Sequence, residues 1–163
     1  MRILAILFVL VAGAAQAGVA AYEACLGDGY EARVMAKFTE RFPSEKCGAM
    51  AECDATLLQS AEALTRSECR AVALDDCASQ KCRLGLQERW RAEAASLRMT
   101  IEETLSTVDM AALPRLQARR LGDTARWFST VDCTGDTTTC DAVRAGRALG
   151  DLERLAREVE ALR

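Results

Sequence analysis

Cysteine is the residue type with the clearest capacity for chemistry in this 163-residue chain, which contains eight cysteines and no histidine. Thiolates bind zinc or exchange disulfides, but the chain has no C-x-x-C pair and no imidazole to complete a mixed metal site. An even number of cysteines is typical of a disulfide framework in exported proteins. We therefore predict four disulfides, no metal site and no cofactor. The cysteines are Cys25, Cys47, Cys53, Cys69, Cys77, Cys82, Cys133 and Cys140.

Helix geometry restricts how these cysteines pair. On a continuous helix Cys77 and Cys82 would point about 140° apart, so they can bond only if the chain turns between them. The same limit applies to the second and third cysteines, so these pairs either bridge loops or reach other helices. The Gly135-Asp136 turn favours a bridge between Cys133 and Cys140, and an antiparallel first hairpin would bring Cys25 next to Cys69. The predicted bridges are Cys133–Cys140, Cys25–Cys69, Cys47–Cys53 and Cys77–Cys82.

The other residue types offer little for catalysis. Without His there is no Ser-His-Asp triad and no Cys-His pair, and no phosphate loop, dinucleotide fingerprint or calcium loop is present. The acids Asp75-Asp76 and Glu102-Glu103 are candidates for glycoside hydrolysis, which needs two carboxylates about 5 to 10 Å apart across a cleft. Neighbours on a helix diverge by about 100°, so a solvated surface explains both pairs better. We predict no catalytic residue.

The first seventeen residues have the features of a secretory signal. Arg2 is a positive start, residues 3–11 are an unbroken apolar run, and Ala15-Gln16-Ala17 is the small-x-small pattern of a cleavage site. We expect cleavage between Ala17 and Gly18 and a periplasmic or secreted product. A spanning helix needs about 20 apolar residues, so we expect no membrane span after signal removal.

The charge of the chain argues against a nucleic-acid partner. The net charge is −3, and loss of Arg2 with the signal leaves 20 basic against 24 acidic residues, a net charge of −4. Residues 18–82 hold seven basic and eleven acidic residues, whereas residues 83–163 hold thirteen of each. No basic stripe is present for a phosphate backbone, and the acidic first half favours encounter with a cationic partner.

Hydrophobic periodicity predicts an all-α protein, a disulfide-stapled bundle of about five helices. Apolar residues recur at helical spacing from Leu86 and again from Asp141, and Pro114 stands where another helix would begin. No sustained alternation typical of strands occurs. We expect one domain over 18–163, with a cysteine-rich part (18–68) and a second part (69–163). The three longest helices are predicted at 84–108, 114–132 and 141–162.

The two tryptophans differ in their surroundings. Trp90 lies on the apolar stripe of its helix and is predicted to pack in the core. Trp127 is adjacent to Phe128 in the sequence, so the two side chains point in different directions on a helix. Trp127 falls at the edge of the apolar stripe of the predicted helix 114–132, near Arg120 and Asp123. A half-exposed Trp flanked by charges is typical of interface anchors. Trp127 is therefore a candidate interface anchor.

Residues 69–155 have a distinctive order of cysteine, tryptophan and arginine. Cys69, Cys77 and Cys82 lead into Glu88-Arg89-Trp90, then come Arg119-Arg120, Trp127-Phe128, Cys133, a polar loop, Cys140, and a helix with Arg144 and Arg147. Behind a signal peptide, this arrangement resembles the LprI-like lysozyme inhibitor family of exported bacterial proteins. The resemblance implies a small helical domain with disulfides and a wall-associated role, binding lysozyme or another ligand.

Together these features predict an exported envelope protein that binds or inhibits a protein partner and is not an enzyme. The expected partner is lysozyme or another cationic envelope protein. One alternative is a carboxylate-dependent hydrolase of cell-wall glycans, which predicts turnover that a single Asp or Glu substitution abolishes. A second alternative is a purely structural periplasmic protein, which predicts neither inhibition nor turnover.

Overall fold

The protein is predominantly α-helical over residues 16–107 and 135–161, the parts of the chain that the computed structural model describes. No strand occurs in these ranges, which confirms the predicted all-α class. None of the helices described combines the length and the hydropathy needed to cross a membrane. The elements are α1 (16–26), α2 (Tyr30–Arg41), a 3-10 turn (Met50–Glu52), α3 (Ala55–Asp75), α4 (Gln80–Leu105) and α5 (Thr137–Glu160).

Local sequence sets the ends of these helices. Gly29, between α1 and α2, has a φ of 77°, in the left-handed region that glycine adopts without a Cβ clash. α2 stops where Phe42 precedes Pro43, because a residue before proline disfavours helical geometry. Asp54 begins α3 by accepting hydrogen bonds from two backbone amides of the first turn, at 2.9 and 3.0 Å. Asp136 caps α5 in the same way, at 2.7 Å.

The chain forms two compact units, the first ending at Cys82 and the second beginning at Arg83. In the first unit α2 packs on α3, and the centre of the contact is formed by Val34, Phe38 and Ala61, each at most 1% exposed. These side chains are apolar and buried, so their removal from water supplies much of the stability of this unit. Partly buried side chains surround them: Tyr30, Phe42, Cys47, Met50, Cys53, Leu57 and Leu58.

The second unit has its own core between α4 and α5. Ile101 and Leu105 of α4 contact Leu152, Leu155 and Val159 of α5, and all five are buried. The residues recur at spacings of three and four on each helix, which places them on one face. This face of α4 therefore lies inward, and its other faces reach the surface.

Three disulfides lie within the first unit, and they are pairs that the sequence predicts. Each short bridge spans a turn: the 3-10 segment lies between Cys47 and Cys53, and the chain leaves α3 and enters α4 between Cys77 and Cys82. Cys140 is also disulfide-bonded, and its predicted partner Cys133 lies outside the described residues. The Cα–Cα distances are 5.5 Å for Cys25–Cys69, 5.2 Å for Cys47–Cys53 and 5.4 Å for Cys77–Cys82.

The observed helix boundaries differ from the predicted ones by a few residues. α4 begins at Gln80 instead of 84, because Ser79 accepts a hydrogen bond from the Cys82 amide at 3.2 Å and so caps the first turn. α5 begins at Thr137 instead of 141 because Asp136 caps it. The two helices end at Leu105 and Glu160, short of the predicted 108 and 162. The predicted helix at 114–132 and the candidate anchor Trp127 lie outside the described residues.

The bond predicted for signal cleavage lies within α1, near the first of the described residues. Ala17 is exposed, whereas Gly18 is buried and its backbone amide donates to Sγ of Cys82 at 3.2 Å. Tyr22, one turn further on, is fully buried. The packing of the first unit therefore includes α1 from Gly18 onward.

Candidate interaction surface

The acidic and basic side chains of the first unit differ in how far they are exposed. Of the eleven Asp and Glu residues in 16–82, ten are exposed, whereas only three of the seven Lys and Arg residues are exposed. The outer surface of this unit is therefore more acidic than its net charge indicates. The exposed acids are Glu23, Asp28, Glu31, Glu40, Glu45, Glu52, Asp54, Glu68, Asp75 and Asp76, and the exposed bases are Arg41, Lys46 and Lys81.

The side chain of Arg33 contacts the backbone at the junction between α1 and α2. Its Nη1 donates to the backbone carbonyl of Asp28 at 3.2 Å, and its Nη2 donates to the carbonyl of Cys25. Its buried Nε has no acceptor among the residues that are described. Because both terminal nitrogens bind backbone oxygens, this guanidinium fixes the junction and leaves the carboxylates there exposed.

Lys37 joins α2 to α3 through two carboxylates. Its Nζ lies 2.8 Å from Oε2 of Glu40 and 2.7 Å from Oε1 of Glu68. The hydrogen bond with Glu40, followed by the one with Glu68, raises the pKa of Lys37. The same hydrogen bond lowers the pKa of Glu40. Lys37 and Glu40 are therefore both held in their charged forms at neutral pH.

Two further arginines of α3 lie against the body of the unit. The Cζ of Arg66 is 5.5 Å from the centroid of the Tyr30 ring, within cation–π range. Arg70 is only 8% exposed. Because long basic side chains cover apolar surface with their stems, their burial contributes packing as well as charge. Four of the seven basic residues are thus partly or fully buried, whereas ten of the eleven acids are exposed.

The acidic pair Asp75-Asp76 lies at the carboxyl end of α3. Both residues are exposed, and α3 carries no basic residue in its last turn. The carboxyl end of a helix bears partial negative charge, so carboxylates at this position are electrostatically unfavourable. Placements that oppose local stability occur most often at functional sites. We therefore take the carboxyl end of α3 as the candidate contact site within the acidic surface.

A second group of acids surrounds the Cys47–Cys53 bridge at the opposite end of α3. Oε2 of Glu52 accepts a hydrogen bond from the Gly48 amide at 2.9 Å, and Asp54 caps α3. Both carboxylates stabilise the local backbone, and this role is sufficient to explain why they are present. Glu45 is exposed in the same loop. The disulfide restricts the conformations of this loop.

The acids that the sequence offered for glycoside hydrolysis lie on the surface of α3 and α4. Asp75 ends α3 and Asp76 follows it, while Glu102 and Glu103 lie exposed on α4. Within residues 16–107 and 135–161, no group of three or more His, Cys, Asp or Glu is placed to hold a metal ion.

Sequence reasoning found the acidic excess but missed the basic residues that shape it. Arg33, Arg66 and Arg70 have partners or burial that no local pattern specifies. Lys37 and Glu40 stand three residues apart on a helix, a spacing that favours an ion pair, and this is the signal that would have identified one contact.

Comparison with known proteins returned no family model, no curated protein and no solved structure that matches this chain.

Proposed function

We propose that this chain is an exported binding protein whose first unit recognises a cationic protein of the bacterial envelope. One observation carries the proposal: ten carboxylates of the first unit are exposed against three basic groups. A surface with one dominant sign of charge raises the rate at which oppositely charged partners meet it and disfavours partners of like charge.

The disulfides support a role in binding. Bridges at Cys25–Cys69, Cys47–Cys53 and Cys77–Cys82 restrict the helices and loops that carry the exposed acids. A surface that is ordered before association loses less conformational entropy on binding. Disulfides also persist in oxidising compartments, which fits the signal-like residues 1–17.

Lysozyme is the partner that this proposal names. The order of cysteine, tryptophan and arginine over residues 69–155 resembles that of the LprI-like lysozyme inhibitor family, and lysozyme is a basic enzyme that acts on the cell wall. We infer that the protein protects the wall by occupying lysozyme. In this account the acidic first unit guides the approach of the enzyme.

Inhibition of wall lysis tests this function. Oxidised protein comprising residues 18–163 is incubated with lysozyme in increasing molar ratio, and the turbidity of a wall suspension is followed. We expect lysis to slow as the ratio passes one to one, with bovine serum albumin, which is also acidic, as a control that leaves lysis unchanged. Undiminished lysis at a large molar excess would remove lysozyme as the target.

A further inference from the structure

The outward face of α4 carries an exposed apolar stripe. Met99 is 66% exposed, the largest exposure among the large hydrophobic side chains described, and Ala92 and Ala95 are exposed as well. At about 100° per residue these three lie within about 60° of one another on the helix. The inward face of the same helix, through Ile101 and Leu105, is already covered by α5. A helix that is apolar on a second, exposed stripe is typical of an interface with another helix.

Charges flank this stripe in an ordered way. Arg91 and Glu102 lie on one side of it, and Arg89 and Glu103 lie on the other, each about 40° to 80° from Met99. All four are exposed. On both sides the arginine lies toward the amino end of the helix and the glutamate toward the carboxyl end. An identical helix running in the opposite direction would therefore place a glutamate opposite each arginine.

A second copy of α4 running in the opposite direction meets both sides with opposite charge. In an antiparallel pair of helices, equivalent sides face each other across the twofold axis. Pairing Arg91 with Glu102 of the second copy places the axis between residues 96 and 97, and pairing Arg89 with Glu103 places it at residue 96. The two sides therefore specify one register, to within about 1 Å along the helix.

The same register also covers the apolar stripe. Met99 of one copy comes level with residue 93 of the other, where the small side chains of Ala92, Ala95 and Ser96 leave space for it. Knob-into-hole packing of this type stabilises paired helices. We propose that this protein forms an antiparallel homodimer through the outward face of α4.

Arg89 and Arg91 also contact residues of their own helix. Arg89 already lies 3.0 Å from Glu93 of its own helix, and a guanidinium has five donors, so it reaches two carboxylates at once. When the side-chain amide of the buried Gln87 is oriented with its oxygen toward Arg91, that oxygen accepts hydrogen bonds from Nη2 and Nη1 of Arg91 at 2.7 and 3.2 Å. Glu88 is exposed on the same face, about 20° from Met99, and in this register its charge opposes the pairing, because it comes near Glu102 and Glu103 of the second copy.

The dimer is expected to be weak and reversible. Residues 87–105 overlap in this register, a length of about 28 Å, and one helix pair of that size lies near the lower limit of specific interfaces, about 1,000 Å² in total. The flanking charges therefore contribute to the dimer affinity by attracting the two helices and by fixing their register. High salt is expected to favour the monomer.

Reciprocal charge reversal tests the proposal, with the oxidised protein studied by sedimentation velocity over a range of concentrations. Arg91→Glu and Glu102→Arg each place like charges opposite one another in the homodimer, and we expect each variant to associate about tenfold more weakly than the natural sequence. An equimolar mixture of the two variants restores both pairs in the heterodimer, so its association is expected to recover. The two positions are about 16 Å apart within one helix, so recovery cannot arise inside a single chain.

Two controls make the outcome unambiguous. Arg147→Glu makes the same change of charge at an exposed position of α5 and is expected to leave the dimer unchanged. Helical circular dichroism verifies that each variant is folded. A natural sequence that stays monomeric up to about 1 mM would overturn the proposal, and so would a dimer that tolerates both reversals or a mixture that associates no better than its components.

Discussion

Asp136 shows how one carboxylate organises the start of a helix. Its Oδ1 accepts hydrogen bonds from the amide and the hydroxyl of Thr139, at 2.7 and 3.0 Å, and its Oδ2 lies 3.0 Å from Nη1 of Arg83. The Thr139 amide is the main cause that lowers the pKa of Asp136, followed by the Thr139 hydroxyl, with a smaller contribution from Arg83. The ionised form is therefore the one that the folded state favours.

Replacing Asp136 by Asn is expected to make the second unit less stable at neutral pH, but not at low pH. Asn caps helices as well as Asp, so the substitution removes the charge and retains the cap. Because the folded-state pKa is lowered, the stabilisation is fully present above the usual value of 3.8 and is lost as the pH falls through the lowered folded-state value. Thermal unfolding followed by circular dichroism should show a difference in Tm that closes below pH 3.8. A difference that is independent of pH would contradict this assignment.

At the scale of the helices, Asp54 determines where α3 begins. Its side chain accepts hydrogen bonds from the amides of Thr56 and Leu57, which have no partner inside the helix. We expect Asp54→Ala to lower the free energy of unfolding by about 1 kcal/mol and Asp54→Asn to change it by much less. Urea unfolding of both variants measures the difference. Equal losses in the two variants would show that the negative charge, and not the cap, is responsible.

Helix existence was predictable from the sequence, but helix boundaries depended on single polar side chains. The apolar spacing after Leu86 and Asp141 indicated α4 and α5, yet both begin four residues earlier than predicted. The extra turns depend on caps by Ser79 and Asp136, which a search for apolar periodicity does not weigh. The segment after Cys69 was too short for periodicity, and the structure continues α3 through it to residue 75.

The bridges were more predictable than the surface. Cys77 and Cys82 cannot bond on one continuous helix, so their pairing required the turn that the structure contains. The acidic excess of residues 18–82 also followed from composition. The withdrawal of basic side chains did not, because Lys37 meets Glu68 and Arg66 meets Tyr30 only through tertiary packing of α2 on α3.

At the scale of the whole molecule, the disulfides differ in how much chain they constrain. Cys25–Cys69 closes a separation of 44 residues, whereas Cys47–Cys53 closes one of 6. In the chain-entropy account the longer loop contributes about 4 kcal/mol and the shorter about 2 kcal/mol. We therefore expect the variant Cys25→Ala/Cys69→Ala to be less stable to urea than Cys47→Ala/Cys53→Ala. The opposite order would show that native-state packing around the short loop outweighs the entropy of the unfolded chain.

The function that we propose for the molecule depends on the acidic surface of its first unit. Asp75 and Asp76 are the decisive residues, because they lie exposed at the carboxyl end of α3, where a negative charge is locally unfavourable. Their neutralisation is expected to stabilise α3 slightly. Any loss of binding in Asp75→Asn/Asp76→Asn therefore cannot be attributed to unfolding. Asp141→Asn/Asp151→Asn makes the same change of net charge in the second unit and serves as the control for net charge.

The most direct measurement is the Kd for lysozyme of the oxidised protein and these two variants, by biolayer interferometry at about 50 mM and about 300 mM salt. We predict binding that weakens with salt, a Kd about tenfold higher for Asp75→Asn/Asp76→Asn at low salt, and a change of less than about twofold for Asp141→Asn/Asp151→Asn. Absence of binding, or equal losses in the two variants, would contradict recognition through the first unit.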